Sequence, residues 1–173
     1  MKDCSAKKTL GILVLLTVMQ GSSSLYAAGT NIESGIYNDS VKFEDNFIKM
    51  DKNNTSEDKT YSFNKGGTLV GNDVYGNYVI RNESEHKLTI NIGSALKEGV
   101  SDRYKFDLRH DRKNWGLGIV SINSNIDLNL TNTDFTFDNS INSKEGTIMI
   151  SSSGEDDGEK SIVNITLDNS SIA

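Results

Sequence analysis

From Gly66 onward the chain consists of short runs that alternate apolar and polar residues, each closed by Gly, Asn, Asp or Ser. Three pairs of runs line up. Tyr78-Val79-Ile80 precedes Leu88-Thr89-Ile90-Asn91-Ile92, and Gly118-Ile119-Val120-Ser121-Ile122 precedes Ile126-Asp127-Leu128-Asn129-Leu130. Thr147-Ile148-Met149-Ile150 precedes Ile162-Val163-Asn164-Ile165-Thr166-Leu167. The triplets Ile90-Asn91-Ile92, Leu128-Asn129-Leu130 and Ile165-Thr166-Leu167 recur after 38 and then 37 residues. Successive side chains of a strand point to opposite faces, so period two predicts half-buried strands. The continuation recurs as well: Thr131 to Phe135 matches Asp168 to Ile172 as a polar turn leading back to an apolar residue. Helical spacing is nearly absent, with only Ser94 to Val100 offering a short helical turn.

Antiparallel hairpins usually show tight Asn-Gly or Asp-Gly turns, and Asp157-Gly158 is the only such dipeptide. The pattern therefore predicts a coil of strands in which each repeat stacks on the one before. Ile90, Leu128 and Ile165 would take equivalent inward seats. The Asn, Thr and Ser members would face water or stack as like-on-like rows. Antiparallel pairing of Leu88–Ile92 with its neighbours would instead indicate a small β-sandwich.

The chain before Gly66 reads differently. Lys2, Lys7 and Lys8 form a basic start, and Leu10 to Met19 is an uncharged, mostly apolar run. As a helix, ten residues rise about 15 Å, half of a roughly 30 Å hydrocarbon core. Small residues follow at Ala27-Ala28, so residues 1–28 are expected to be a signal peptide rather than an anchor. Residues 29–65 are polar with scattered apolar pairs and are expected to be an irregular amino-terminal or capping region. Within them Asp51 to Lys59 contains no apolar residue and reads as an exposed loop. Residues 66–173 carry the strand repeats.

Composition narrows the function classes. The 173 residues include 18 Lys plus Arg against 24 Asp plus Glu, a formal charge of -6. Nucleic-acid binding is not expected, because phosphate neutralisation needs clustered cations. Hydrophobic residues make up 35%, which suits thin sheets with many turns better than a helical core. The single cysteine, Cys4, precedes the apolar run, so the exported part has no thiol for a disulfide or a cysteine metal site.

A signal peptide, no Pro, and abundant Asn, Ser, Thr and Gly accompany the irregular repeats. The segments GIVSINSNIDLNLTNTDFTFDNS (118–140) and GTIMISSSGEDDGEKSIVNITLDNSSIA (146–173) carry the resemblance that follows. The chain resembles the amino-terminal part of a bacterial autotransporter (type V secretion) passenger over about residues 66–173. The resemblance implies an all-β fold, a right-handed parallel β-helix (a solenoid), here incomplete. It also implies export to the cell surface, outer membrane or medium of a diderm bacterium. The function implied is a non-enzymatic scaffold or adhesin that displays loops to a host or cell-surface ligand. The family's carboxy-terminal translocator barrel of the outer membrane is not found in these residues, so the chain reads as a fragment. Its last repeat, without a visible polar cap, invites edge pairing with another copy.

The densest charged stretch is Ser101 to Trp115, expected to be an insertion loop with surface ion pairs. A β-helix polysaccharide lyase would need clustered carboxylates and a base, for which Asp107, Asp111, Arg109 and Arg112 are candidates. Tyr104, Arg109, His110 and Trp115 are the candidate ligand-contact residues of this loop, since exposed aromatics stack on sugars or anchor partners. Gly154 to Glu159 is an acidic loop without the spacing of a calcium motif, and His86 sits in a turn. No catalytic residue, cofactor or metal site is expected.

Overall fold

The computed structural model describes residues 29–71, 78–110, 117–138, 148–151 and 160–173. Among them are fifteen strands and no helix. They fall into five successive triplets. The first is β1 (Thr30–Asn31), β2 (Gly35–Tyr37) and β3 (Val41–Glu44); the second is β4 (Asn46–Met50), β5 (Lys59–Phe63) and β6 (Gly67–Gly71). The third is β7 (Tyr78–Asn82), β8 (Leu88–Ile92) and β9 (Tyr104–His110); the fourth is β10 (Leu117–Ile122), β11 (Asn125–Thr131) and β12 (Thr133–Asp138). The last is β13 (Ile148–Ser151), β14 (Ile162–Asp168) and β15 (Ser171–Ile172).

Each strand pairs in parallel with the strand three places on, which gives three five-stranded sheets. The first runs β1-β4-β7-β10-β13, the second β2-β5-β8-β11-β14 and the third β3-β6-β9-β12-β15. This arrangement is compatible with a parallel β-helix. It excludes the small β-sandwich, because β8 pairs in parallel with both β5 and β11. Leu128 lies opposite Ile90 on one side and Ile165 on the other, so the recurrence at 38 and 37 residues is the sheet register itself.

One apolar cluster draws on all three sheets. Ile48, Ile80 and Ile119 come from the first sheet, Phe63, Ile90 and Leu128 from the second, and Leu69, Phe106 and Phe135 from the third. The alternation of the second sheet explains its part: Ile126, Leu128 and Leu130 are buried while Asp127, Asn129 and Thr131 between them are not. An aromatic file runs through the core, with Phe63 5.4 Å from Phe106 and Phe106 5.8 Å from Phe135, ring to ring.

The chain changes sheet at tight corners. Only Asn132 separates β11 from β12, at φ 49°, and Asn169 follows β14 at φ 47°. This left-handed conformation is one that Asn tolerates better than most side chains. The two corner asparagines stack, Asn169 Nδ2 donating to Asn132 Oδ1 at 2.8 Å. At another corner Asn82, fully buried, donates to the carbonyls of His86 and Asn125 at 2.9 and 3.0 Å. Ser124 Oγ donates to the Asn82 carbonyl at 2.7 Å. These bonds satisfy backbone groups that the corner removes from the ladders.

Polar side chains also form rows outside the sheets. Asn129 Nδ2 donates to Asn91 Oδ1 at 3.0 Å, and Asn91 Nδ2 to Ser62 Oγ at 3.2 Å. In the neighbouring row Asn164 Nδ2 donates to Asp127 Oδ1 at 2.8 Å, and Lys87 Nζ stands 3.2 Å from Asp127. The Asn164 hydrogen bond first, and Lys87 after it, hold the Asp127 carboxyl below its ordinary value of 3.8. A depressed carboxylate stabilises the fold above its unfolded pKa, and that contribution is lost as pH falls through the folded value. Asp127→Asn is therefore expected to narrow its stability gap to the unsubstituted chain below about pH 4, by less than about 1 kcal/mol as for other exposed pairs. Urea midpoints measured from pH 6 to pH 3 check this.

Three expectations are corrected. Residues 29–65 are not an irregular cap: they hold β1 to β5, in the same sheets as the later repeats. The segment expected as an insertion loop contains β9, whose Phe106 and Leu108 are buried between Lys105, Asp107 and Arg109. Residues 94–100 form no turn of helix; they run irregularly, with a turn at 98–99 closed by the Val100 amide donating to the Lys97 carbonyl at 3.0 Å. The signal segment 1–28 and the acidic loop 154–159 lie outside the described residues.

Candidate functional site

The charged residues of β9 lie on the outer face of the third sheet. Alternation turns Lys105, Asp107 and Arg109 away from buried Phe106 and Leu108. Sheet register then aligns Lys105 with Asp134 and Ser171, and Asp107 with Lys42, Thr68 and Thr136 in one row. Opposite charges on this face pair. Arg103 Nη2 is 3.0 Å from Asp134, Arg109 Nη2 is 3.3 Å from Asp107, and Lys42 Nζ is 2.8 Å from Glu44. Ser171 Oγ donates to Asp134 at 2.7 Å. The hydrogen bond and charge of Glu44 raise the Lys42 pKa further. The face thus carries charges of both signs, several of them paired.

Of the four predicted contact residues, the structure does not unite the pair it describes fully. Tyr104 and Arg109 sit near opposite ends of β9 and on opposite sides of the strand, since five positions separate them. Tyr104 is half-buried, 3.3 Å from Ser94 Oγ, and packs at the start of the strand. His110 ends β9, and Trp115 lies outside the described residues together with Asp111 and Arg112. Of the lyase carboxylates only Asp107 is described, and it is engaged by Arg109. His86 occupies the expected turn, 3.7 Å from Asp58 and 3.9 Å from Glu85.

A second feature escaped the sequence reading. Beside β1, β4 and β5 is a polar recess of about 300 Å³, lined in part by Asn31, Glu33, Lys49, Asp51, Lys59 and Tyr61. Lys49 Nζ is 2.7 Å from Asp51, and Lys59 Nζ is 3.0 Å from Glu57 at the rim. Asn31 braces β4 through its side chain, which donates to the Lys49 carbonyl at 3.0 Å and accepts from the Lys49 amide at 2.9 Å. The Tyr61 hydroxyl donates to the Ile32 carbonyl at 3.0 Å. Its pKa is pushed up to about 12, by burial above all and then by Tyr37 and Glu33. Nothing in the spacing of Glu33, Asp51 and Tyr61 signals the recess; its lining comes from segments of two different sheets.

Among the described residues no group of three or more His, Cys, Asp or Glu is placed to hold a metal ion. No helix among them is long and apolar enough to cross a membrane. No protein-family model, curated protein or solved structure matches the chain.

Proposed function

We propose that the chain is a non-enzymatic, exported surface segment whose three sheets wind as one right-handed parallel β-helix, as in an autotransporter passenger. The winding holds a rigid rod and leaves the outer face of the third sheet for contact with a host or cell-surface ligand. The observation that carries this reading is the shared register: all three sheets step from triplet to triplet in the same order, around one core. A scaffold needs that regularity, and on the outer face of the third sheet Arg103 pairs with Asp134 and Arg109 with Asp107 rather than converging on a reacting group.

The reading is tested by expressing the full chain in a diderm bacterium, joined at its carboxyl end to a tag and then to an outer-membrane translocator barrel, and shaving intact cells with protease. The tag is expected to be cleaved from intact cells or recovered from the medium. A tag that remains in the cytoplasm with an uncleaved leader overturns the proposal. On the contact face, Lys105→Glu combined with Arg109→Glu is expected to lower adherence of displaying cells to host cells several-fold, with surface level unchanged by antibody staining.

A further inference from the structure

The chain passes from the first sheet to the second through corners of unequal length: 32–34 after β1, 51–58 after β4 and 83–87 after β7. The long middle corner leans on the one after it. The Glu83 amide donates to the Met50 carbonyl at 2.9 Å, the Lys59 amide to the Lys87 carbonyl at 3.0 Å and the Lys87 amide to Asp58 Oδ1 at 2.9 Å. The short first corner is held to the core instead, by the Tyr61 hydroxyl on the Ile32 carbonyl and by the Tyr37 hydroxyl on the Glu33 carbonyl at 2.6 Å. The recess of about 300 Å³ opens between these two corners and takes its lining from the first and from both ends of the second.

Both ammonium groups of the lining are already paired, Lys49 with Asp51 and Lys59 with Glu57. The Asn54 and Thr55 amides donate to the Asp51 carbonyl at 3.2 and 3.1 Å, which fixes the start of the long corner as a turn. The side chains of Glu33, Ser34, Asn54 and Thr55, by contrast, have no hydrogen-bond or ion-pair partner among the described residues. A carboxylate only accepts, while hydroxyls and a carboxamide both donate and accept. An anion would face the unpaired Glu33 and would gain a cation only by breaking an ion pair. An ammonium group only donates, and would leave the donors of Ser34, Asn54 and Thr55 unanswered. A metal ion would find no group of three acidic or histidine ligands among the described residues. An apolar ligand would strip water from these groups without replacing its hydrogen bonds. Adjacent hydroxyls of a neutral sugar meet the whole set, donating to the carboxylate and accepting from the carboxamide with no charge to neutralise. The volume lies at the small end of the roughly 300–1,000 Å³ of ligand pockets, room for one ring.

We infer that this recess binds a single neutral sugar residue, with Glu33 accepting from its hydroxyls and Ser34, Asn54 and Thr55 completing the contacts. The site lies where the first sheet turns into the second, so such binding depends neither on export nor on the contact face of the third sheet.

The test titrates the purified, isotopically labelled full chain with methyl α-mannoside, methyl β-galactoside and N-acetylglucosamine, read by backbone amide shifts, with glucuronate and lysine as charged counter-probes. At least one neutral sugar is expected to shift residues 31–34 and 49–59 saturably. Glu33→Gln is expected to weaken that binding at least tenfold, because a hydrogen bond to a charged acceptor is replaced by one to a neutral acceptor. Glu33 is exposed and its side chain is unpartnered, so the variant's amide spectrum beyond the recess is expected to stay unchanged. Lys105→Gln, on the third sheet, is expected to bind the sugar as the unsubstituted chain does. Saturable shifts confined to other residues, no saturable shift with any neutral sugar, or tighter binding of glucuronate or lysine than of every neutral sugar overturns the inference. Unchanged affinity in Glu33→Gln overturns the role given to that carboxylate.

Discussion

Gly93→Ala is expected to destabilise the chain by roughly 4 kcal/mol, whereas Gly99→Ala is expected to cost only about 1 kcal/mol. The two glycines have the same backbone, φ +81° and +80°. A left-handed residue with a Cβ costs about 1–2 kcal/mol wherever it sits. The surroundings separate them. A Cβ on Gly99 meets nothing within 4 Å, while one on Gly93 collides with the Thr131 carbonyl oxygen and Thr133 Oγ1. Both are fixed. Thr131 ends β11, and Thr133 Oγ1 is buried, donating to the Thr131 carbonyl at 2.9 Å with the Ile92 carbonyl at 3.2 Å. Relief would mean moving a strand end or breaking a buried hydrogen bond, which adds about 1–3 kcal/mol. Urea unfolding followed by circular dichroism checks the pair; equal losses at the two sites would show that close approach at the corner after β8 and β11 plays no part.

That corner also shows how far the sequence could be read. The register of Ile90, Leu128 and Ile165 was legible because two successive spacings, 38 and 37, are nearly equal and the apolar members alternate strictly. Earlier triplets follow the same sheets at shorter intervals: Asn64 bonds Asn38 26 residues back, and Asn91 bonds Ser62 29 residues back. A search at a constant period passes over them, and β2, with three residues, is too short to show alternation. This is why residues 29–65 read as irregular. The third sheet was masked by charge. In β9, Lys105, Asp107 and Arg109 alternate with Phe106 and Leu108, which is period two; but the density of charge favoured a solvated loop. A sheet with one wet face accepts charges there at little cost, and pairs them across strands. The recess was not legible at all, since its lining comes from Glu33, Asp51 and Tyr61 on separate elements.

The aromatic file gives the other large effect. Phe106→Ala is expected to cost about 3–5 kcal/mol, and Phe106→Leu less than half of that. Phe106 is 1% exposed and lies between Phe63 of β5 and Phe135 of β12. Its ring is stacked nearly flat on Phe135, at an interplanar angle of 5°, and tilted by 40° to Phe63. Truncation removes both ring contacts and opens a void that strands fixed by parallel ladders on either side close only in part. Leucine keeps most of the volume and loses chiefly the aromatic stacking, about 0.5–1.5 kcal/mol for each pair. For a chain of this size each kcal/mol lowers the melting temperature by roughly 2–4 °C. Because Phe106 joins the second and third triplets to the fourth, its loss is also expected to broaden the transition. Nearest-neighbour coupling holds stacked repeats together as one cooperative unit, and cutting it at the third triplet lets the early strands melt apart from the late ones. Calorimetry of Phe106→Ala checks both features; a transition as sharp as that of the unsubstituted chain and shifted by less than about 3 °C would place the coupling elsewhere.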